Sequence, residues 1–282
     1  MLLRKGIVTG GDMRVDIHTH CDTTDPAEAE AFARMCRKND TVACIYSVGP
    51  RCDHHYCTNE ETLGVAKNHP DVLIPFAFVD LWDKVDAGEI DKFVEQGFRG
   101  LKCISPYYPY DHDVYMPVYQ KAEEFGIPIV FHTGLWRACE ADVLYKRPML
   151  TNMHPLTLDR IARSFPKLKI VMAHMGTTIF RREGAELIRQ HANLYADLAG
   201  SGSWFTVRSH DLAELLSEPH KEIDSTFTNF RKLLLGSDSY VGIRSPFEGA
   251  QDWYSHTLAR VGVPEEIKKD IMGGTAAGWL GL

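Results

Sequence analysis

Two histidines separated by one residue, His18 and His20, follow an aspartate at the same spacing in the segment Asp16-Ile-His18-Thr-His20. Side chains on a β-strand alternate between faces, so positions 16, 18 and 20 are expected to point the same way. Two imidazoles projecting together are a sound geometry for two ligands on one ion. For that segment alone, a pair of buried, hydrogen-bonded histidines is an equally good reading. Three further polar groups each end an apolar run: His132 in IPIVFHTG, His174 in LKIVMAHMG and Asp238 in LLLGSDSY. Imidazole nitrogens with one carboxylate suit Zn²⁺ best among common ions, with Mn²⁺, Fe²⁺ or Co²⁺ also admissible. Asp16, one step deeper on the strand, would either orient a ligand imidazole or be a buried carboxylate bonded to main chain.

Groups so far apart in the chain meet only if the elements carrying them share an edge. Eight apolar runs are candidate strands: Val15–His20, Thr41–Val48, Val72–Val79, Arg99–Ile104, Ile127–His132, Lys169–His174, Leu194–Leu198 and Leu233–Ser237. Nearly continuous Val, Ile, Leu, Phe and Ala suits parallel strands covered on both faces. Helix-like stretches lie between them. Asp25, Pro26 and Glu28 read as N-cap, first helical position and capping-box partner of a helix to about Lys38. Glu89–Gln96 stops at Gly97 and Met116–Phe125 at Gly126, both left-handed C-caps in expectation. Pro155–Phe165, Arg182–His191, Phe247–Val261 and Pro264–Leu280 complete the alternation. Alternating strand and helix implies right-handed crossovers, and eight such units favour a closed (β/α)8 TIM barrel over an open sheet. No Gly-rich phosphate loop follows the first strand, which counts against dinucleotide binding. Long loops after strands two, four, five and eight all fall on the C-terminal rim, where barrels build their sites.

The 282 residues fit one such domain, because barrels of this kind run at about 250 residues. Hydrophobic residues at 44% and charged residues at 24% match an ordinary soluble globular protein. The net charge of −7 argues against a nucleic-acid-binding surface. No apolar stretch reaches the ~18 residues of a membrane span, and the first fifteen residues lack the apolar core of a secretory signal. Seven cysteines, most of them within apolar or helical runs, read as reduced thiols in a cytoplasm.

DIHTH, IPIVFHTG, IVMAHMG and the late GSD, together with GFRGLKCISP and SFPKLKIVMAHMG, resemble the amidohydrolase superfamily from about Val15 to the C-terminus. The likeness is strongest to its amidohydrolase-related (amidohydrolase 2) branch, which includes single-metal hydrolases and the aminocarboxymuconate-semialdehyde decarboxylase group. The resemblance implies His18, His20, His132 and Asp238 as metal ligands and His174 as a catalytic residue beside them. Zn²⁺ would lower the pKa of its water to about 7. Asp238 would both touch the ion and take the water's proton, and His174 would polarise a carbonyl or hold the water. Dimers are common in this branch, so a homo-oligomer is an expectation from the resemblance alone.

Other residues admit several readings. Lys102, near the end of the fourth strand, would bridge two ions if carboxylated, bind an anionic substrate, or reach toward the rim as a structural group; a substrate or structural role is favoured. The segment Arg51–Cys57, with His54 and His55, reads as a loop over the site mouth. Tyr107, Tyr108 and Tyr110, with Trp136 and Arg137, would suit a planar or acidic substrate or simply anchor their loops. Arg244 is a second candidate carboxylate clamp. Asp80 and Asp197 end strands three and seven and read as helix caps or rim residues without a catalytic part.

Three functions share these residues. The first is a hydrolase cleaving an amide, ester or lactone of a small carboxylate-bearing substrate with metal-activated water. The second is a non-oxidative decarboxylase of an aromatic or dienoic acid, and the third a non-catalytic barrel that binds a small molecule.

Overall fold

The computed structural model describes residues 13–50, 56–82, 85–136, 149–200, 207–217, 227–244 and 246–282. Arg137, His54 and His55 lie outside them. The strands are β1 (Arg14–His20), β2 (Thr41–Tyr46), β3 (Leu73–Pro75), β4 (Ala77–Val79), β5 (Leu101–Cys103), β6 (Ile129–His132), β7 (Ile170–Ala173), β8 (Leu194–Asp197), β9 (Leu233–Leu234) and β10 (Ser239–Tyr240). All ladders are parallel, in the orders β10-β1-β2-β3 and β4-β5-β6-β7-β8-β9.

β3 and β4 are halves of one expected strand. Phe76 donates its N–H to Ile45 O and Ala77 donates to Gly100 O, so the chain changes neighbours at that residue. β9 and β10 flank Asp238 in the same manner, β9 pairing with β8 and β10 with β1. Ile17 N–H to Leu235 O and Asp238 N–H to His18 O join the last segment to the first. Eight parallel segments follow one another in this way as a TIM barrel.

The helices are α1 (Pro26–Lys38), α2 (Asn59–Asn68), α3 (Gly88–Gln96), α4 (Met116–Phe125), α5 (Thr157–Ser164), α6 (Thr177–Gln190), α7 (Ser209–Leu216), α8 (Pro246–Val261), α9 (Glu265–Lys269) and α10 (Thr275–Leu280). Asp25 caps α1 by accepting from Ala27 N at 2.8 Å, and Gly97 and Gly126 end α3 and α4 in the left-handed region, as expected. Glu28 does not close a capping box; its carboxylate pairs with Arg244. The reciprocal box sits instead on α2, which the apolar pattern does not reveal: Thr58 Oγ1 accepts from Glu61 N at 3.2 Å and Glu61 Oε2 from Thr58 N at 2.7 Å. The expected helix 264–280 is broken by a wide turn at Asp270–Gly274.

Two layers of side chains hold the barrel. Phe32, Ala33 and Cys36 of α1 pack against Ala43 and Ile45 on the outer face of β2. Inside, Val42, Cys44, Tyr46, Val130, Val171 and Leu234 form a separate cluster with Ala276 and Leu280 of α10. The buried Val, Leu, Ile and Phe side chains among them each contribute about 1.5–3 kcal/mol, so this packing sets where the strand ends lie.

The register of β1 carries a functional consequence. Asp16 pairs with Ala43, Thr19 with Ile45 and His20 with Tyr46, and a shift intervenes between Asp16 and Thr19. Neighbours in register share a face, so Asp16 lies on the outer face with Ala43 while His20 lies on the inner face with Tyr46. A bulge that inserts one residue reverses the alternation, and the expectation that 16, 18 and 20 share one face fails at Asp16.

Candidate active site

His18 and His20 end β1, His132 ends β6, His174 follows β7, and Asp238 sits between β9 and β10. All lie at the C-terminal edge of the strands. His18 is fully buried, and the other three imidazoles are nearly so. The Asp238 side chain is 24% exposed and stands where it can meet a substrate. A cavity of about 450 Å³ opens onto His20, His132, His174 and Asp238, with Tyr56, Tyr240 and Trp136 among its walls. That volume is in the ordinary range for small-molecule sites. A larger cavity of about 550 Å³ includes Met13, Lys268 and Met272 in its lining and, among the described residues, no imidazole.

Asp238 ties the first strand to the last. Its Oδ1 lies 2.7 Å from His20 Nε2 and 3.3 Å from His18 Nε2. Burial acts to raise this carboxyl, but His18 and His20 overcome that and hold it well below the usual carboxylate range. Burial lowers His20 to about 4 and places His132 well below the ordinary histidine value, reinforced by His174 and Lys102. His174 is lowered by burial and by His18. His18 alone is raised: burial and Lys102 push it down, and Asp197 and Asp238 push it up further.

Hydrogen-bond partners fix which ring nitrogens carry protons. His132 Nε2 is 3.1 Å from Leu135 O, and His174 Nδ1 is 2.8 Å from Ala199 O. A carbonyl only accepts, so both of these nitrogens are donors. The remaining pair, His132 Nδ1 and His174 Nε2, therefore face each other as acceptors at 3.1 Å. His18 Nδ1 lies 2.9 Å from Asp197 Oδ2, which directs its Nε2 acceptor at the same region. His18, His174 and Asp238 each bring a ligand atom within 4.8 Å of one another. His20 Nε2 shares its proton with Asp238 Oδ1 at 2.7 Å, whereas the facing lone pairs of His132 and His174 have none to share. Such lone pairs beside a carboxylate fit a divalent cation, and the donor set matches nitrogen- and oxygen-liking ions such as Zn²⁺ or Mn²⁺.

Main-chain strain concentrates here. Asp238 (φ 62°), His174 (φ 64°), Met175 (φ 43°) and Thr177 (φ 55°) are non-glycine residues in the left-handed half of backbone space. Such conformations persist when surrounding bonds impose them and often mark functional sites. Thr133 supplies one of those bonds, donating from Oγ1 to Ala173 O at 2.6 Å and accepting from Gly176 N at 3.0 Å. Gly200 (φ 81°) lies so close that a Cβ there would be 2.4 Å from Asp238 Oδ2. Neither Thr133 nor Gly200 was marked by an apolar run ending in a ligand type.

The remaining sequence candidates divide. Lys102 is fully buried beneath the site, with Nζ 3.5 Å from His18 Nε2 and 4.8 Å from the Tyr46 ring centre; burial lowers it to about 8. Asp16 is not a partner of any ligand ring: its Oδ1 accepts from His18 N and Ser237 N, and burial raises its carboxyl to about 6. Tyr107 packs against Trp82 and Tyr108, not in the cavity wall. Arg244 is engaged with the α1 carboxylate of Glu28 and with Val241 O, and it is not in the cavity lining. Tyr110 anchors its loop by donating to Cys103 O and His132 O. Asp80 accepts from Trp82 N at 3.2 Å. Asp197, expected to be a cap or rim residue, is a fully buried partner of His18.

The amidohydrolase 2 family model matches residues 15–282. The chain belongs to that family. Solved structures with the same fold include an uncharacterised TIM-barrel protein from Bordetella bronchiseptica, 16% identical, covering 96% of this chain and 100% of that one, with a TM-score of 0.68. A dihydroxybenzoic acid decarboxylase from Polaromonas sp. JS666, carrying bound manganese and the inhibitor 2-nitroresorcinol, is 15% identical over 96% of this chain and 97% of that one, with a TM-score of 0.61. A probable 2-pyrone-4,6-dicarboxylic acid hydrolase from Acinetobacter baumannii, with citric acid bound, is 12% identical over 95% and 99%, also at 0.61. A search among curated proteins returns no sequence match. Among the described residues, no helix is long and apolar enough to cross a membrane.

Proposed function

We propose that this amidohydrolase is a metal-dependent hydrolase that uses activated water to cleave an amide, ester or lactone of a small substrate. The observation that supports the reading is the convergence of His18, His20, His132, His174 and Asp238 at one rim cavity, with the acceptor nitrogens of His132 and His174 facing each other beside the carboxylate. His18, His20, His132 and Asp238 are the proposed ligands of one divalent ion, and His174 the residue beside it that handles the substrate. When bound, such an ion polarises a carbonyl and brings the pKa of water to about 7.

Asp238 stays ionised at neutral pH and has a face toward the cavity, so it can take a proton from the attacking water and deliver it to the leaving nitrogen or oxygen. His174, whose Nδ1 is held by Ala199 O, keeps Nε2 beside His132 Nδ1 at 3.1 Å and lines the cavity, so it can act next to the proposed ion. Tyr56, Tyr240 and Trp136 give the cavity an aromatic wall suited to a planar group. Arg137 remains the proposed contact for a substrate carboxylate, since Arg244 is committed to Glu28.

The aromatic wall also favours a second reading, decarboxylation of an aromatic acid. Assay of protein loaded with Zn²⁺ or Mn²⁺ separates the two. Acid release from a panel of lactones, esters and amides, followed by pH-stat, supports hydrolysis. CO₂ release from hydroxybenzoates with no hydrolytic turnover overturns it.

A further inference from the structure

Asp197 ends β8, is wholly buried, and uses both carboxylate oxygens on different strands. Oδ2 accepts from His18 Nδ1 at 2.9 Å. Oδ1 accepts from the main-chain N–H of His174 at 2.8 Å and of Ala199 at 3.0 Å. One side chain thus holds the imidazole of the β1 ligand and the backbone of the strained turn after β7. The two rings it governs have centres 4.8 Å apart. Close packing fixes the carboxylate itself, for a Cβ added at Gly236 would lie 3.0 Å from the Cβ atoms of both Asp197 and His18.

We propose that Asp197 is the positioning residue of the metal site: by accepting a hydrogen bond from His18 Nδ1–H it keeps the proton on that nitrogen and leaves Nε2 free for the ion, and by holding His174 N it sets the spacing between the β1 and β7 groups. The inference rests on the single-ion reading above. A carboxylate can do this and a carboxamide cannot. In Asp197→Asn, the amide oxygen satisfies the His174 and Ala199 N–H groups, and the amide nitrogen then faces His18 Nδ1 as a donor. His18 must accept there, so its proton moves to Nε2, the nitrogen the ion needs. Partners of ligand imidazoles commonly change metal affinity by about 10–100-fold when lost.

The experiment compares wild type with Asp197→Asn by zinc competition titration and by ¹H–¹⁵N NMR of the histidine rings. The expected result is a 10–100-fold weaker zinc affinity in the variant, with a change of only a few degrees in the melting temperature of the metal-free protein. In the wild type, His18 shows a protected Nδ1–H resonance, and in the variant that proton is on Nε2. Equal zinc affinity in both proteins overturns the proposal. So does a wild-type His18 without an Nδ1–H, a measurement that stands even if the variant fails to fold. A wild type that binds no zinc defeats the single-ion reading instead, and the ring tautomer, read in metal-free protein above the imidazole titration range, then still judges Asp197.

Discussion

His132 Nδ1 and His174 Nε2 face each other at 3.1 Å with their opposite nitrogens already given to the carbonyls of Leu135 and Ala199. Burial keeps both rings neutral at pH 7, so no proton is at hand to join them. Two opposed lone pairs in a buried site repel unless a cation draws them together. The arrangement fits the divalent ion proposed above, and consequences follow from the groups around it.

Acid should weaken the metal-free protein earlier than carboxylate protonation alone would. His20 is lowered from 6.5 to about 4, and His132 and His174 move the same way. Between pH 6.5 and 4 the unfolded chain takes up protons that the folded chain refuses, so stability falls as pH drops through that window. His20 alone accounts for on the order of 3 kcal/mol. His18 and Asp16 are shifted upward and act in the opposite sense, their contributions being lost as pH rises through their folded values, about 6 for Asp16, so the net fall is smaller than the histidines alone would give. Melting curves of chelator-treated protein at pH 7 and pH 5 test this; a melting temperature no lower at pH 5 contradicts it.

Gly200→Ala should damage the site without unfolding the barrel. The new Cβ falls 2.4 Å from Asp238 Oδ2 and 3.4 Å from His174 Nδ1, at a φ of 81°. Strain of about 1–3 kcal/mol is expected, together with displacement of the Asp238 carboxylate. Metal affinity and turnover should fall at least about tenfold, by the same arithmetic of about 1.4 kcal/mol per decade. Retention of full metal affinity would show that Asp238 has room the geometry denies it.

Lys102→Met should leave one ion per chain. The ammonium lies 3.5 Å from His18 Nε2, beneath the cavity, and the single-ion reading gives it no ligand role. A fall from two ions to one in the variant would make Lys102 a bridging ligand in the wild type.

Arg244→Ala should change substrate affinity less than about threefold. Arg244 and Glu28 are a part-exposed pair, 31% and 42% accessible, of the kind that contributes about 0–1 kcal/mol. A tenfold rise in KM would place the guanidinium on the substrate.

Much of the site could be read from residue order because each polar group closes an apolar run. His132 and His174 follow Ile-Val-Phe and Val-Met-Ala, and a strand that must be buried ends where a polar group can reach the rim. The part that Asp16 plays could not be read, since its direction depends on a bulge at positions 17–18 that leaves no mark in the apolar pattern. Asp197 carried no sign of its task either. Its partner His18 is 179 residues away, and only the closure of β8 onto β9 and β1 brings them together. Gly200 is required by a carboxylate it meets across the barrel. The α2 helix, by contrast, had its signal in Thr58 and Glu61, a capping box without a strong apolar stripe behind it.

Elemental analysis of the purified protein and of its His132→Ala variant bears most directly on the convergence of imidazoles and Asp238. About one divalent ion per wild-type chain, with loss of that ion in the variant, is the predicted result. No stoichiometric metal in the wild type, or the same content in both proteins, would contradict it.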